Sequence, residues 1–106
     1  MNRYGFESNE VDGILADLQK YPKLKIQSIC SHLAASDKRT EDSFTNSQFK
    51  VFEDVSNLFS TGLNQLIDRH ILNTNGLLNF PNKEYEMVRL GIGLYGISND
   101  NNIKQI

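Results

Sequence analysis

Helical and strand-like segments alternate along this chain, and this order restricts its fold more than any other feature. Apolar residues three or four apart from Phe49 to Leu66 predict one long amphipathic helix, and Thr45 and Gln48 have the capping-box spacing ahead of it. The other predicted elements are a helix from Ser8 to Tyr21, a strand over 24–33, a polar loop over 34–44, a short strand over 69–73, a helical turn over 74–79, a strand over 86–89 and a short element over 92–95. Such alternation predicts an α/β fold with a parallel sheet of βα units.

Composition narrows the function classes. The net charge is −2, the two signs are mixed along the chain, and no basic run is present, so nucleic acid is not an expected partner. No apolar stretch approaches the roughly 20 residues that cross a bilayer, and we expect no membrane association. Cys30 is the single cysteine, which excludes an internal disulfide and fits a cytoplasmic, reducing location.

Candidate binding residues fall at the carboxyl ends of the predicted strands, where ligands of parallel sheets bind. These residues are His32, the pair Asn73 and Thr74, and Arg89. Arg89 precedes Gly91, and the backbone N–H groups of glycine-containing turns form anion sites. Each residue also has an ordinary structural interpretation. Arg89 could be a surface arginine that caps a strand end, Asn73 and Thr74 a capped turn, and His32 a structural histidine whose hydrogen bonds are all made.

Four segments, in order and at compatible spacings, resemble the alanine racemase family. They are Met1–Phe6 (MNRYGF), Ser31–Asp37 (SHLAASD), Leu72–Gly76 (LNTNG) and Glu86–Gly96 (EMVRLGIGLYG). The resemblance implies that residues 1–98 are part of a (β/α)₈ barrel domain that binds pyridoxal phosphate, and that 99–106 are a polar tail or the start of a linker to a separate β domain. A complete barrel needs roughly 250 residues. With 106 residues, the chain is expected to be a central or C-terminal piece of the barrel of a longer protein.

The resemblance also implies roles for individual residues around the cofactor. Arg89 would donate a hydrogen bond to the pyridine nitrogen, which then stays unprotonated and makes the ring a weaker electron sink, favouring racemisation over transamination. His32 would orient Arg89, and Arg3 would help to bind the substrate carboxylate and the phenolic oxygen of the cofactor. His70, early in its predicted strand, is assigned no site role.

Phosphate binding is implied for the two segments that follow the last strands. The candidates are the pair Asn73 and Thr74, with the hydroxyl of Thr74, and the backbone of Gly91 and Ile92. Thr74 stands where the family has serine, and it keeps the hydroxyl. No residue is predicted to ligate a metal.

The catalytic groups of the family have no counterpart here. No lysine matches the Schiff-base lysine, and no tyrosine matches the second base, which the partner subunit supplies. The intact parent is expected to be a homodimer that interconverts L- and D-alanine for peptidoglycan synthesis, while this chain alone is expected to be inactive. Three alternatives remain open: a non-catalytic pyridoxal-phosphate-binding protein of the same barrel type, a racemase for another amino acid such as serine, and a structural or regulatory module that kept the barrel and lost the chemistry.

Overall fold

Two short parallel strands and the long helix that joins them form the centre of the molecule. The computed structural model describes residues 4–97. The elements are α1 (Val11–Gln19), β1 (Ser28–Cys30), α2 (Asp42–Leu63), β2 (Asp68–His70) and α3 (Thr74–Asn79), with 3₁₀ helices at Ser8–Glu10, Arg39–Glu41 and Ile92–Tyr95. Ile29 pairs with Arg69 in the parallel register of β1 and β2. The chain is therefore an α/β unit, and the predicted long helix, the helical turn over 74–79 and the short element over 92–95 are confirmed.

Helix α2 connects two apolar clusters. Phe49 and Phe52 pack with Leu33, Ile71 and Leu72 near the carboxyl ends of the strands. At its other end, α2 contributes Phe59 to a second cluster with Val11 and Ile67. Ile71 and Leu72 of the first cluster belong to the segment that follows β2, so the side chains that stabilise the fold also fix the position of that segment.

The predicted capping box at Thr45 and Gln48 is wrong. Helix α2 begins three residues earlier, at Asp42, whose negative charge in the first turn is favourable to the helix dipole. Thr45 lies on the core face of α2, fully buried, and its hydroxyl has no hydrogen-bond partner within the described residues. The Gln48 side chain instead accepts a hydrogen bond from the Ala34 N–H at 3.1 Å and ties α2 to the loop after β1.

The strands are shorter than the sequence predicts. Strand β1 covers three residues of the predicted 24–33, and β2 ends at His70 where the pattern predicts a strand reaching residue 73. The segment over 86–89 runs beside β2 without forming a strand. Only two backbone hydrogen bonds attach it to that region, from the Met87 N–H to the Arg69 carbonyl at 3.3 Å and from the Arg89 N–H to the Leu72 carbonyl at 3.0 Å. Over residues 4–97 the sheet therefore has two strands, and the predicted partial barrel stays a prediction.

Arg3 and the tail over 99–106 lie outside the described residues, so these predictions are untested. Among the helices that the structure describes, none is both long and apolar enough to span a bilayer. In the same part of the chain, no three side chains of the metal-ligating types come together.

Candidate functional site

The side chain of Arg89 joins the carboxyl ends of both strands. Its guanidinium donates to the backbone carbonyls of Ser31, just after β1, at 2.5 Å, and of His70, the last residue of β2, at 2.9 Å. A longer hydrogen bond of 3.4 Å reaches the Ile71 carbonyl. These acceptors orient a guanidinium that is always protonated and can only donate. Arg89 is thus a fixed positive charge at the edge where ligands of parallel sheets bind.

The imidazole of His70 also contacts Arg89, through a hydrogen bond between its Nδ1 and Nη1 of the guanidinium. Because arginine only donates, Nδ1 must accept, and the ring is neutral with its proton on Nε2. The pKa of His70 is lowered by burial and by the charge of Arg89, while Asp68 acts in the opposite direction. Both effects favour the neutral ring that this hydrogen bond requires.

The contact with Arg89 makes His70 a candidate site residue. The prediction that His70 lies early in its strand is wrong. It followed from extending the strand to residue 73, which placed His70 early in the strand. Since β2 ends at His70, this residue stands at the carboxyl ends of the strands together with the Arg89 guanidinium. The sequence signal that could have placed His70 at the strand end is its position three residues before Asn73, the cap of α3. The predicted role of His32 stays a prediction; its backbone carbonyl accepts a hydrogen bond from Gln48 at 3.4 Å.

Thr74 and the glycine-rich segment form a second part of the site. The buried Thr74 Oγ1 accepts hydrogen bonds from the Gly91 N–H at 3.1 Å and from the Gly93 N–H at 3.3 Å. A Cβ added at Gly93 would lie 2.4 Å from Thr74 Cγ2, so this close approach requires glycine. One hydroxyl and two backbone N–H groups therefore converge within a small space.

Asn73 and Ile92 take no part in the hydrogen bonds that join Thr74 to Gly91 and Gly93. The Asn73 side chain caps α3 by accepting from the Gly76 N–H at 2.8 Å, and it also accepts from the Ser36 hydroxyl at 2.9 Å. These contacts occupy its Oδ1 and fix the start of α3, where Thr74 lies. Ile92 begins the last 3₁₀ helix with a half-exposed side chain.

Comparisons with known proteins identify the family. Residues 1–99 match the family model described as alanine racemase, N-terminal domain. The chain belongs to this family. Alanine racemase 1 of Oceanobacillus iheyensis is 29% identical over 107 residues, covering 100% of this chain and 28% of the relative. The alanine racemase of Sorangium cellulosum is 33% identical over 99 residues, covering 92% of this chain and 26% of the relative.

Solved structures agree with the alanine racemase assignment. The Bacillus anthracis alanine racemase with bound L-Ala-P superimposes with a TM-score of 0.78 at 30% identity, covering 99% of this chain and 27% of that one. The Bartonella henselae alanine racemase, which carries covalently bound pyridoxal phosphate, gives 0.71 at 27% identity and covers 92% of this chain and 25% of that one. The chain therefore spans about a quarter of the length of these alanine racemases, and the resemblance found in its sequence is confirmed.

Proposed function

We propose that this chain forms part of the pyridoxal phosphate site of an alanine racemase, within a partial (β/α)₈ barrel. The observation that carries the proposal is the convergence of the Thr74 hydroxyl with the Gly91 and Gly93 N–H groups, two to four residues beyond the fixed charge of Arg89. Membership of the racemase family and the coenzyme named for the Bartonella henselae structure support it.

The residues present fit a phosphate group. Backbone N–H groups and a hydroxyl are the donors that bind phosphate in proteins. Here both amides donate to the Thr74 hydroxyl, so a phosphate oxygen placed beside that hydroxyl would accept the same amide protons in its place. The Thr74 hydroxyl now accepts from both amides, and its own proton is available to a phosphate oxygen. A side chain at position 93 would fill this space, which is consistent with a glycine there.

Arg89 fits the other end of the coenzyme. Pyridoxal phosphate, when bound, supplies an electron sink for bond changes at the α-carbon of an amino acid. A guanidinium donates to the ring nitrogen and cannot give up its proton, so it keeps that nitrogen unprotonated. His70 and the strand-end carbonyls accept from both Nη groups and hold the guanidinium in a single orientation before the coenzyme binds, which leaves Nε–H as the donor for the ring nitrogen.

The remaining roles belong to the same proposal. The Ile92 backbone would add to the phosphate contacts, His32 would help to orient Arg89, and Arg3 would bind the carboxylate of the alanine substrate. In the intact homodimer the racemisation would interconvert L- and D-alanine for peptidoglycan precursors. Because neither the Schiff-base lysine nor the catalytic tyrosine of the family has a counterpart in this chain, the chain alone would bind the coenzyme without racemising alanine.

Amide NMR of the ¹⁵N-labelled chain tests the phosphate site. Pyridoxal phosphate and inorganic phosphate should both shift the Gly91 and Gly93 amide resonances, and pyridoxal without phosphate should shift them far less. Thr74→Val keeps the side-chain shape but removes the hydroxyl, and it should weaken the phosphate response about tenfold or more. Thr61→Val, at an exposed position of α2, is the matched control and should leave the response unchanged. Binding of pyridoxal phosphate with both glycine amides undisturbed would contradict the proposed site.

A further inference from the structure

The carboxylate of Glu86 takes the place of a backbone acceptor beside β2. It accepts hydrogen bonds from the Arg69 backbone N–H at 2.8 Å, from Nε at 3.0 Å and from Nη2 at 2.9 Å. Arg69 is the middle residue of β2, and its N–H faces away from β1, where the next strand of a sheet would supply a carbonyl. Glu86 thus binds the strand through its side chain, with the two-pronged geometry that makes arginine–carboxylate pairs specific.

A second group of contacts holds the same segment against α2. Tyr85 donates from its hydroxyl to Glu53 Oε1 at 2.7 Å, and Lys83 Nζ lies 2.8 Å from the same oxygen. The Tyr85 ring packs edge-on against Phe52, and the Arg69 guanidinium lies over it at 4.9 Å. Tyr85 has a φ of +53°, a conformation that tyrosine rarely adopts, so the turn before Glu86 needs such anchors.

These contacts determine which residue of the segment reaches the site. Between Glu86 and Arg89 only the Met87 and Arg89 N–H groups bond to the β2 region, so the backbone alone specifies the alignment weakly. In extended chain, a slip of one residue turns each side chain to the opposite side. Such a slip would remove Arg89 from His70 and displace Gly91 from Thr74.

We propose that Glu86 and Arg69 act as a register lock: they are positioning residues that align the segment so that the Arg89 guanidinium meets His70 and the strand ends. Glu53 and Tyr85 support the lock from α2. The effect of the lock on pyridoxal phosphate affinity rests on the proposed function, whereas its effect on the Arg89–His70 contact does not.

The proton titration of His70 reports the alignment directly. In the chain as it stands, burial and the charge of Arg89 hold the pKa of His70 below its ordinary value, against the opposing effect of Asp68. Glu86→Ala should raise the pKa of His70 toward the ordinary value, because Arg89 would leave the ring. Glu86→Gln, which keeps one acceptor for the Arg69 N–H, should raise it less. NMR of the imidazole protons measures both, and dispersed amide signals from α2 establish that each variant is folded.

Asp54→Asn is the matched control, since Asp54 is an exposed carboxylate paired with Lys50 at 3.0 Å on α2. It should leave the titration of His70 unchanged. In a parallel titration with pyridoxal phosphate, Glu86→Ala should weaken binding about tenfold or more relative to Asp54→Asn. A folded Glu86→Ala variant whose His70 titrates as in the unaltered chain would overturn the register lock. If the unaltered chain fails to bind the coenzyme, the proposed function falls, and the titration of His70 still decides the lock.

Discussion

Replacing Gly93 with alanine tests how closely the glycine-rich segment must approach Thr74. The added Cβ would lie 2.4 Å from Thr74 Cγ2 and 3.2 Å from Thr74 Oγ1, whereas ordinary contacts begin at 3.4 Å. Relieving the first contact requires a displacement of about 1 Å, and overpacking of this kind costs about 1–3 kcal/mol. The smaller entropy of the unfolded alanine chain offsets about 0.4–1 kcal/mol. We therefore expect Gly93→Ala to lower the free energy of unfolding by about 1–2 kcal/mol.

A second substitution separates this clash from other causes. Thr74→Ser removes Cγ2 and keeps the hydroxyl, so the nearest atom to the new Cβ becomes the oxygen at 3.2 Å. In that background Gly93→Ala should be close to neutral, which gives a coupling energy of about 1–2 kcal/mol in a double-mutant cycle. Urea unfolding followed by circular dichroism measures all four proteins. Gly13→Ala, in α1 with nothing near its added Cβ, is the control and should stabilise by about 0.5–1 kcal/mol.

The reasoning would be refuted if Gly93→Ala destabilised the Thr74→Ser background as much as it destabilises the unaltered chain. That result would mean that the methyl of Thr74 does not limit the approach. The same cycle measured with pyridoxal phosphate should show weaker binding for Gly93→Ala, with partial recovery in the Thr74→Ser background. Recovery is expected because the serine hydroxyl can still serve the phosphate.

Two further predictions concern stability. Thr45→Val keeps the shape of the side chain and removes a fully buried hydroxyl that has no partner among the described residues. Urea unfolding should therefore show a free energy of unfolding that is higher by about 1–2 kcal/mol, and a lower value would mean that the hydroxyl is hydrogen-bonded. Hydrogen bonds from Arg69 lower the pKa of Glu86 to about 2, from 4.5. A depressed carboxyl pKa stabilises the fold above pH 4.5, and this contribution is lost as the pH falls from about 4.5 to about 2. Glu86→Gln should therefore reduce the fall in urea midpoint across that window, and an unchanged pH dependence would contradict the assignment.

The elements that the sequence predicts well depend on short-range chemistry. Helix α2 follows from apolar residues at three- and four-residue spacing, and the helical turn at Thr74 follows from the capping residue Asn73 before it. Both patterns act within one or two turns of the chain, so they can be read without knowing what the segment packs against. The four motifs, taken in order, likewise identified the family, because the residue types and spacing within each motif are local.

The sequence by itself determined the order of helices and strands as far as α3, the family, and the residues that carry donors. Only the tertiary structure decided which groups those side chains contact. Arg89 reaches a carbonyl 58 residues earlier and an imidazole 19 residues earlier, and Glu86 binds Arg69 across 17 residues. Such contacts depend on how β1, β2 and α2 dock, which sets where each strand ends and which face of α2 is buried. That docking placed His70 beside Arg89 and left the Thr45 hydroxyl in the core, because tertiary packing overrides local preference at these positions.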